Sequence, residues 1–294
     1  MELNTAKEKI AIVVGQGDLP LRVISEMVSQ DLNFIVAGIK GVSSKSLVNS
    51  HDNFWFNLGE LGAFLNSLKE HNVKKVLFVG AVARPSLLSL KLDSLGKKFV
   101  KDYFSQIKGD DSLLSMIIKE IESHGFLVIG FQNIAKNILA IKKVYTKISP
   151  TADQLTETQE AFTLAKKIST FDIGQSLIFQ QNMVIAVEGV EGTAKMILRS
   201  KNLIKKDSFL TRIIKKILKI KVEDTRVGGA FLVKIKKTHQ DDRVDLPTIG
   251  DKTILQAKKA GLIGIVIEAN STIILNEQKT TYLANKYGIF IIAL

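Results

Sequence analysis

Between Arg243 and Gly250 the sequence Arg-Val-Asp-Leu-Pro-Thr-Ile-Gly brings together a cation, a carboxylate, a hydroxyl, a proline and a glycine. Groups of these types build phosphate and metal sites. Pro247 has no N–H and pushes Leu246 into extended geometry, and Thr248 is placed to cap a helix expected over Lys252 to Ala260. Asp245 would then stand on a stiff turn at the mouth of that helix. Taken alone, the stretch reads more simply as a strand-turn-helix junction whose Asp and Thr only cap.

Other segments offer similar choices. Gly15-Gln-Gly-Asp-Leu-Pro20 follows the first apolar run, where a phosphate-binding loop would stand, and Gly15, Gly17 and Asp18 either contact a ligand or make a tight turn. Arg84, in Gly80-Ala-Val-Ala-Arg-Pro85, emerges after another strand and either forks onto phosphate oxygens or caps a surface loop. Asp110 and Asp111 open a helix, as dipole-complementing residues or as magnesium ligands. Glu188 and Glu191 present the same choice, with Gly189 and Gly192 beside them freeing backbone N–H groups for an anion. Gln175 follows a glycine turn and could read an amide or a uracil edge, while Asp172 fixes that turn. His51, His71, His124 and His239 are scattered without ligand spacing, which argues against a zinc site or a histidine relay.

In order and interval these segments, with Lys108-Gly-Asp-Asp111, Ser149-Pro150 and Ala186-Val-Glu-Gly-Val-Glu-Gly-Thr193, resemble the LpxI family, the UDP-2,3-diacylglucosamine pyrophosphatases of lipid A synthesis. The resemblance covers nearly the whole chain. It implies Mg²⁺-dependent hydrolysis of the pyrophosphate to UMP and 2,3-diacylglucosamine 1-phosphate. It further implies Asp245 as metal ligand or water-orienting base, with Arg243 and Thr248 on phosphate oxygens. Gly15, Gly17, Asp18, Arg84, Gln175, Gly192 and Thr193 are then the other expected substrate contacts, and Asp110, Asp111, Glu188 and Glu191 the further metal candidates. A nonenzymatic sugar-nucleotide sensor is the alternative.

The elements that must carry these residues fit 294 residues divided into two α/β domains. Ile10 to Val14, a helical pattern through Leu21, Ile24 and Val28, and Phe34 to Ile39 make a β-α-β unit. Strands at Val76 to Val79 and Leu127 to Ile129, with an amphipathic segment over Ser112 to Ser123, extend it into a mostly parallel Rossmann-like sheet over residues 1–132. The polar stretch 133–152 is expected to be a linker. A second α/β domain, the catalytic one, spans 153–294. It has a helix at Gln154 to Ile168 and strands at Val184 to Glu188, Ala230 to Ile235, Ile263 to Ile267, Ile273 to Leu275 and Ile289 to Ile292.

The absence of cysteine excludes disulfides, thiolate zinc sites and a cysteine nucleophile. A net charge of +12 calls for an anionic partner, but no nucleic-acid motif accompanies it, and one Trp and four Tyr offer little stacking surface. The glycine loop lacks the third glycine of a dinucleotide fingerprint, which argues against a nicotinamide enzyme. With no signal peptide in Met1 to Ile10 and no spanning segment, the expected location is the cytoplasm, peripherally on the inner membrane, with a homodimer possible. Leu203 to Lys221, apolar at helical spacing and rich in Lys, reads as an amphipathic helix for its own domain or for a membrane surface.

Overall fold

The computed structural model describes residues 8–82, 90–106, 110–135, 138–171, 173–204, 229–237, 241, 243 and 246–294. Packing divides the chain into two units, Met1–Lys136 with Asp241–Asp245, and Asn137–Gln240 with Leu246–Leu294.

The first unit is built on β1 (Lys9–Val14), β2 (Phe34–Ile39), β3 (Asn53–Phe56), β4 (Val73–Val79) and β5 (Leu127–Ile129). All pairings are parallel and the order is β3-β2-β1-β4-β5. Continuous apolar runs such as Ile10 to Val14 suit strands covered on both faces. Helix α1 (Leu19–Ser29) starts with Pro20 in its first turn, where no N–H is needed, and buries Val23, Ile24 and Met27. Helices α2 (Lys45–Asn49), α3 (Leu61–Glu70), α4 (Ser94–Gln106) and α5 (Asp110–Ser123) complete the described helices of this unit. Phe64, Leu65 and Leu68 of α3 and Ile118 and Ile121 of α5 pack with Val13, Ile35 and Val76 into one core. The strand order reverses between β1 and β4, so the loops after these two strands flank the place where open α/β sheets bind ligands.

The second unit holds α6 (Ala152–Ser169), the hairpin β6 (Ser176–Gln180) and β7 (Met183–Val187), α7 (Gly192–Ser200) and β8 (Phe231–Lys234). After them come β9 (Thr248–Ile249), α8 (Asp251–Ala260), β10 (Gly264–Ile267), β11 (Ile273–Ile274), α9 (Glu277–Tyr287) and β12 (Phe290–Ala293). Its main sheet runs β12-β10-β8-β6-β7. The pairs of β8, β10 and β12 are parallel, while β6 runs antiparallel to both of its neighbours. Ala161 and Ala165 of α6 pack with Leu177, Phe179, Phe231 and Val233 on one face. Met196 of α7, Ile254 of α8 and Ala284 of α9 pack with Ile178, Leu232 and Ile265 on the other.

Helix α6 begins with a capping box: Thr151 Oγ1 accepts from the Gln154 N–H at 3.3 Å, and Gln154 Oε1 accepts from the Thr151 N–H at 3.0 Å. Two features differ from the sequence expectation. Much of the segment read as a linker is packed on the second sheet: Val144 bridges Ile292, Thr146 Oγ1 accepts from the Ile291 N–H, and Asn285 Oδ1 accepts from the Lys147 N–H. Its polar groups serve these bonds, which composition alone cannot distinguish from solvation. The cap of α8 is Gly250, whose N–H donates to Thr253 Oγ1, and not Thr248, which lies in β9 and donates its hydroxyl to the Leu246 carbonyl.

Candidate functional site

Each unit carries a distinct candidate site at a sheet edge. In the first, the β1 and β4 loops are zipped together: the Gly15 N–H donates to the Val79 carbonyl at 2.8 Å, and Gln16 and Ala81 exchange both backbone bonds at 2.7 and 2.9 Å. A Cβ at Gly15 would lie 2.6 Å from the Ala81 carbonyl oxygen, so this glycine is required by loop-to-loop contact. Gly17 differs, with φ +97° and open space around it. Asp18 is exposed at the start of α1, and its side chain makes no capping bond. Gly15, Gly80 and Ala81 also line a cavity of about 540 Å³. Its wall is apolar, including Ile39, Phe56, Phe64, Phe78, Leu114 and Ile117. Among the described residues the polar side chains lining it are those of Asn57 and Glu60, which hydrogen-bond to each other at 2.7 Å. The volume falls in the range of small-molecule pockets.

Arg243 packs with this first unit. Its Nε donates to both oxygens of Asp241 at 2.9 and 3.2 Å and Nη2 to Asp241 Oδ2 at 2.7 Å. Nη1 donates to Glu122 Oε1 at 2.6 Å and to the Val128 carbonyl at 3.3 Å. Asp241 first, then Glu122, raises the guanidinium pKa still further above its usual value. The side chain expected on phosphate oxygens is here an anchor between two carboxylates, neither of which sequence spacing had singled out.

In the second unit, strand alternation turns Ser176, Lys234 and Glu188 toward the face of α7. Lys234 ends β8, at the carboxyl edge of the three parallel strands, and Thr193 stands in the first turn of α7 after Gly192, whose φ is +79°. Lys234 Nζ donates to Thr193 Oγ1 at 3.0 Å, and that hydroxyl donates to Glu188 Oε1 at 3.0 Å. The Ser176 hydroxyl lies 3.3 Å from the same Thr193 oxygen. Lys234 and Glu188 are each only 8% exposed. The second carboxylate oxygen of Glu188, Oε2, is buried and accepts no hydrogen bond.

The other expected residues are distributed differently. Glu191 is engaged by Arg199, whose Nε and Nη2 both approach its Oε1 at 2.9 Å. Its own backbone N–H and this guanidinium hold the Glu191 carboxyl below the usual range. Gln175 pairs through its carbonyl with the Ile235 N–H, and alternation assigns it to the α6 face, away from Thr193. Its Oε1 is buried without a partner. Asp110 and Asp111 form the first turn of α5, and their side chains lie outside the described residues. Arg84, Asp172 and Asp245, and Leu203 to Lys221 beyond Ile204, also lie outside them. Among the described residues no group of three His, Asp or Glu is arranged to hold a metal, and no helix is long and apolar enough to cross a membrane. Sequence reading missed Lys234 and Ser176. The available signal was a lysine closing the apolar run Phe231 to Val233, where a strand buried on both faces has no solvent for a charge.

Comparison with known proteins agrees with this architecture. Residues 9–138 match the LpxI N-terminal domain and residues 142–292 the LpxI C-terminal domain. A curated relative from Caulobacter vibrioides, the UDP-2,3-diacylglucosamine pyrophosphatase LpxI, is 30% identical over 285 residues, covering 97% of this chain and 96% of its own. Among solved structures, the biotin carboxylase subunit of pyruvate carboxylase aligns over 62% of this chain and 35% of its own at 11% identity, with a TM-score of 0.23. N5-carboxyaminoimidazole synthase from Aspergillus clavatus aligns over 60% and 39% at 12% identity, with a TM-score of 0.22. Those scores are too low to relate the folds, whereas the two domain matches and the full-length relative establish that the chain belongs to the LpxI family.

Proposed function

We propose that the protein hydrolyses the pyrophosphate bond of UDP-2,3-diacylglucosamine to UMP and 2,3-diacylglucosamine 1-phosphate, the substrate named for its Caulobacter relative. The observation that carries this reading is the 540 Å³ apolar cavity beside the Gly15 to Asp18 loop. A sheet edge that joins a glycine turn to a chamber without free polar side chains among the described residues suits a ligand with a phosphate at one end and a hydrocarbon chain at the other. A soluble sugar nucleotide would leave such a chamber empty.

Hydrolysis of a phosphoric anhydride needs charge neutralisation on the phosphoryl oxygens and an in-line water. Mg²⁺ binds through one or two carboxylates together with substrate phosphates and water, and would supply that neutralisation when bound. The donor types fit in kind, since the chain has no cysteine and its carboxylates are hard oxygen ligands, while among the described residues none are grouped to hold a metal. Asp245 is the ligand or water-orienting base we propose. Of the other candidates in the second unit, Glu188 keeps a buried oxygen without a donor, whereas Glu191 is already paired with Arg199.

An acylated substrate sits in a membrane surface, and the basic amphipathic stretch Leu203 to Lys221 is the segment we propose to reach it, placing the protein in the cytoplasm against the inner membrane. Headgroup attraction of about 1 kcal/mol per cation would recruit it reversibly. Replacing Lys215, Lys216 and Lys219 with Gln should then weaken cosedimentation with anionic liposomes and spare turnover in detergent.

The deciding experiment incubates purified protein with UDP-2,3-diacylglucosamine and Mg²⁺ and follows UMP. Release that stops with EDTA and returns with Mg²⁺ is expected. Binding without release would instead make the protein a sensor, and full release after chelation would remove the metal from the mechanism.

A further inference from the structure

Three features of the second unit converge at one sheet edge. Helix α7, nine residues long, opens there at Gly192 and Thr193. Lys234, an ammonium that is 8% exposed, ends its strand there. Glu188 Oε2, on a residue equally buried, has no donor. An unpartnered carboxylate oxygen inside a protein is destabilising, because its hydration is lost and nothing replaces it. Burying the Glu188 carboxylate adds to that cost and contributes little to folding. Such an oxygen is expected where a ligand supplies the missing donor.

What the edge lacks defines the ligand. A helix N-terminus beside a lysine favours an anion, and phosphate is the anion whose oxygens accept from both. Glu188 Oε2 needs a donor within the same molecule. The Lys234 ammonium, linked to that carboxylate through Thr193, makes a neutral donor a better match than a second dication. A phosphate that carries a sugar hydroxyl meets both demands, and an acidic side chain on a ribose hydroxyl is a common solution in nucleotide sites. We infer that Lys234, Thr193 and Glu188 form the nucleoside monophosphate subsite of the second unit, with phosphate at Lys234 and the start of α7 and a ribose hydroxyl on Glu188 Oε2. This assignment rests on the proposed function for the identity of the nucleotide, UMP, but not for the existence of the subsite.

The test is calorimetric titration in EDTA with UMP, its 2′,3′-dideoxy analogue and inorganic phosphate. The unmodified protein should bind UMP about tenfold more tightly than the dideoxy compound, and inorganic phosphate more weakly still. Lys234→Met should weaken UMP about tenfold or more. Glu188→Ala should erase the preference for UMP over the dideoxy analogue, and Thr193→Ser, which keeps the hydroxyl, should behave like the parent. Equal affinity of the unmodified protein for UMP and the dideoxy analogue overturns the inference without any variant. It is equally overturned by unchanged UMP affinity in Lys234→Met, or by a sugar preference that appears only with Mg²⁺, which would make Glu188 a metal ligand. UMP release from UDP-2,3-diacylglucosamine without measurable UMP binding would refute this subsite and leave the hydrolase reading intact. UMP binding without any turnover would do the reverse.

Discussion

The two sheets of this protein end in opposite environments. The first is wholly parallel, and beside its switch-point loops lies an apolar chamber in which the polar side chains among the described residues, Asn57 and Glu60, bond to each other. The second is mixed, and at the end of its parallel strands lie an ammonium, a hydroxyl and a carboxylate with one oxygen unused. Both edges look like ligand sites, but they ask for different chemistry. The contrast separates two kinds of recognition: hydrocarbon chemistry at the first edge, phosphate and hydroxyl chemistry at the second.

The most damaging change to this division should be Asp245→Ala, which removes the proposed catalytic carboxylate and leaves both recognition edges. UMP release should fall by roughly 10³-fold or more while UMP binding persists. Parental turnover would put the chemistry elsewhere. Next comes Leu114→Trp, which fills part of the chamber. It should lower kcat/KM for a long-chain substrate about tenfold, equivalent to roughly two methylenes left unburied. A butanoyl analogue should be processed at the parental rate. An equal loss for both chain lengths would mean that the cavity holds no acyl chain.

Arg243→Gln separates anchoring from phosphate binding. Loss of the bonds to Asp241 and Glu122 should lower stability by about 1–2 kcal/mol, read from the urea midpoint, because the pairs are charge-assisted but partly solvated. If stability is unchanged and the KM for substrate rises instead, Arg243 is a ligand residue. The smallest effect belongs to Asp251. Lys279 and the Lys252 N–H hold its carboxyl below the usual carboxylate range. Its contribution is therefore full above the unfolded pKa and disappears as pH falls through the folded one, in acid below about pH 4. Asp251→Asn should cost no more than about 0.5–1 kcal/mol at neutral pH and nothing in acid, since the pair is partly exposed. A pH-independent loss would assign the effect to packing.

Much of the architecture was legible because strands buried on both faces write continuous apolar runs: β1, β2, β8, β10 and β12 all lie within a residue or so of the expected spans. Three strands were missed, β3, β6 and the two-residue β9, the first two for clear local reasons. In β3, Asn53–Phe56, every residue is only half-buried, so the run is too short and mixed to stand out. The hairpin of β6 turns on Gln181 and Asn182, with φ of 49° and 58°, a two-residue turn that normally advertises itself with glycine. Of the second site, Glu188, Gly192 and Thr193 were visible as a motif, whereas Lys234 and Ser176 become neighbours only through the β6–β8 register. Gln175 was visible as well, but strand alternation sends it to the opposite face.

The clasp of Arg243 also bears on how the chain acquires its structure. Glu122 and Arg243 are 121 residues apart, yet they close within the same unit. On the ribosome the five parallel strands of the first unit are complete long before that arginine is synthesised. The N-terminal half can therefore assemble its sheet early but must wait for a late segment to supply the cation for Glu122, and closing so long a loop is slow relative to local contacts. A fragment ending near residue 140 would fold without its final fastening, and adding back a peptide spanning Asp241 and Arg243 should raise its resistance to proteolysis.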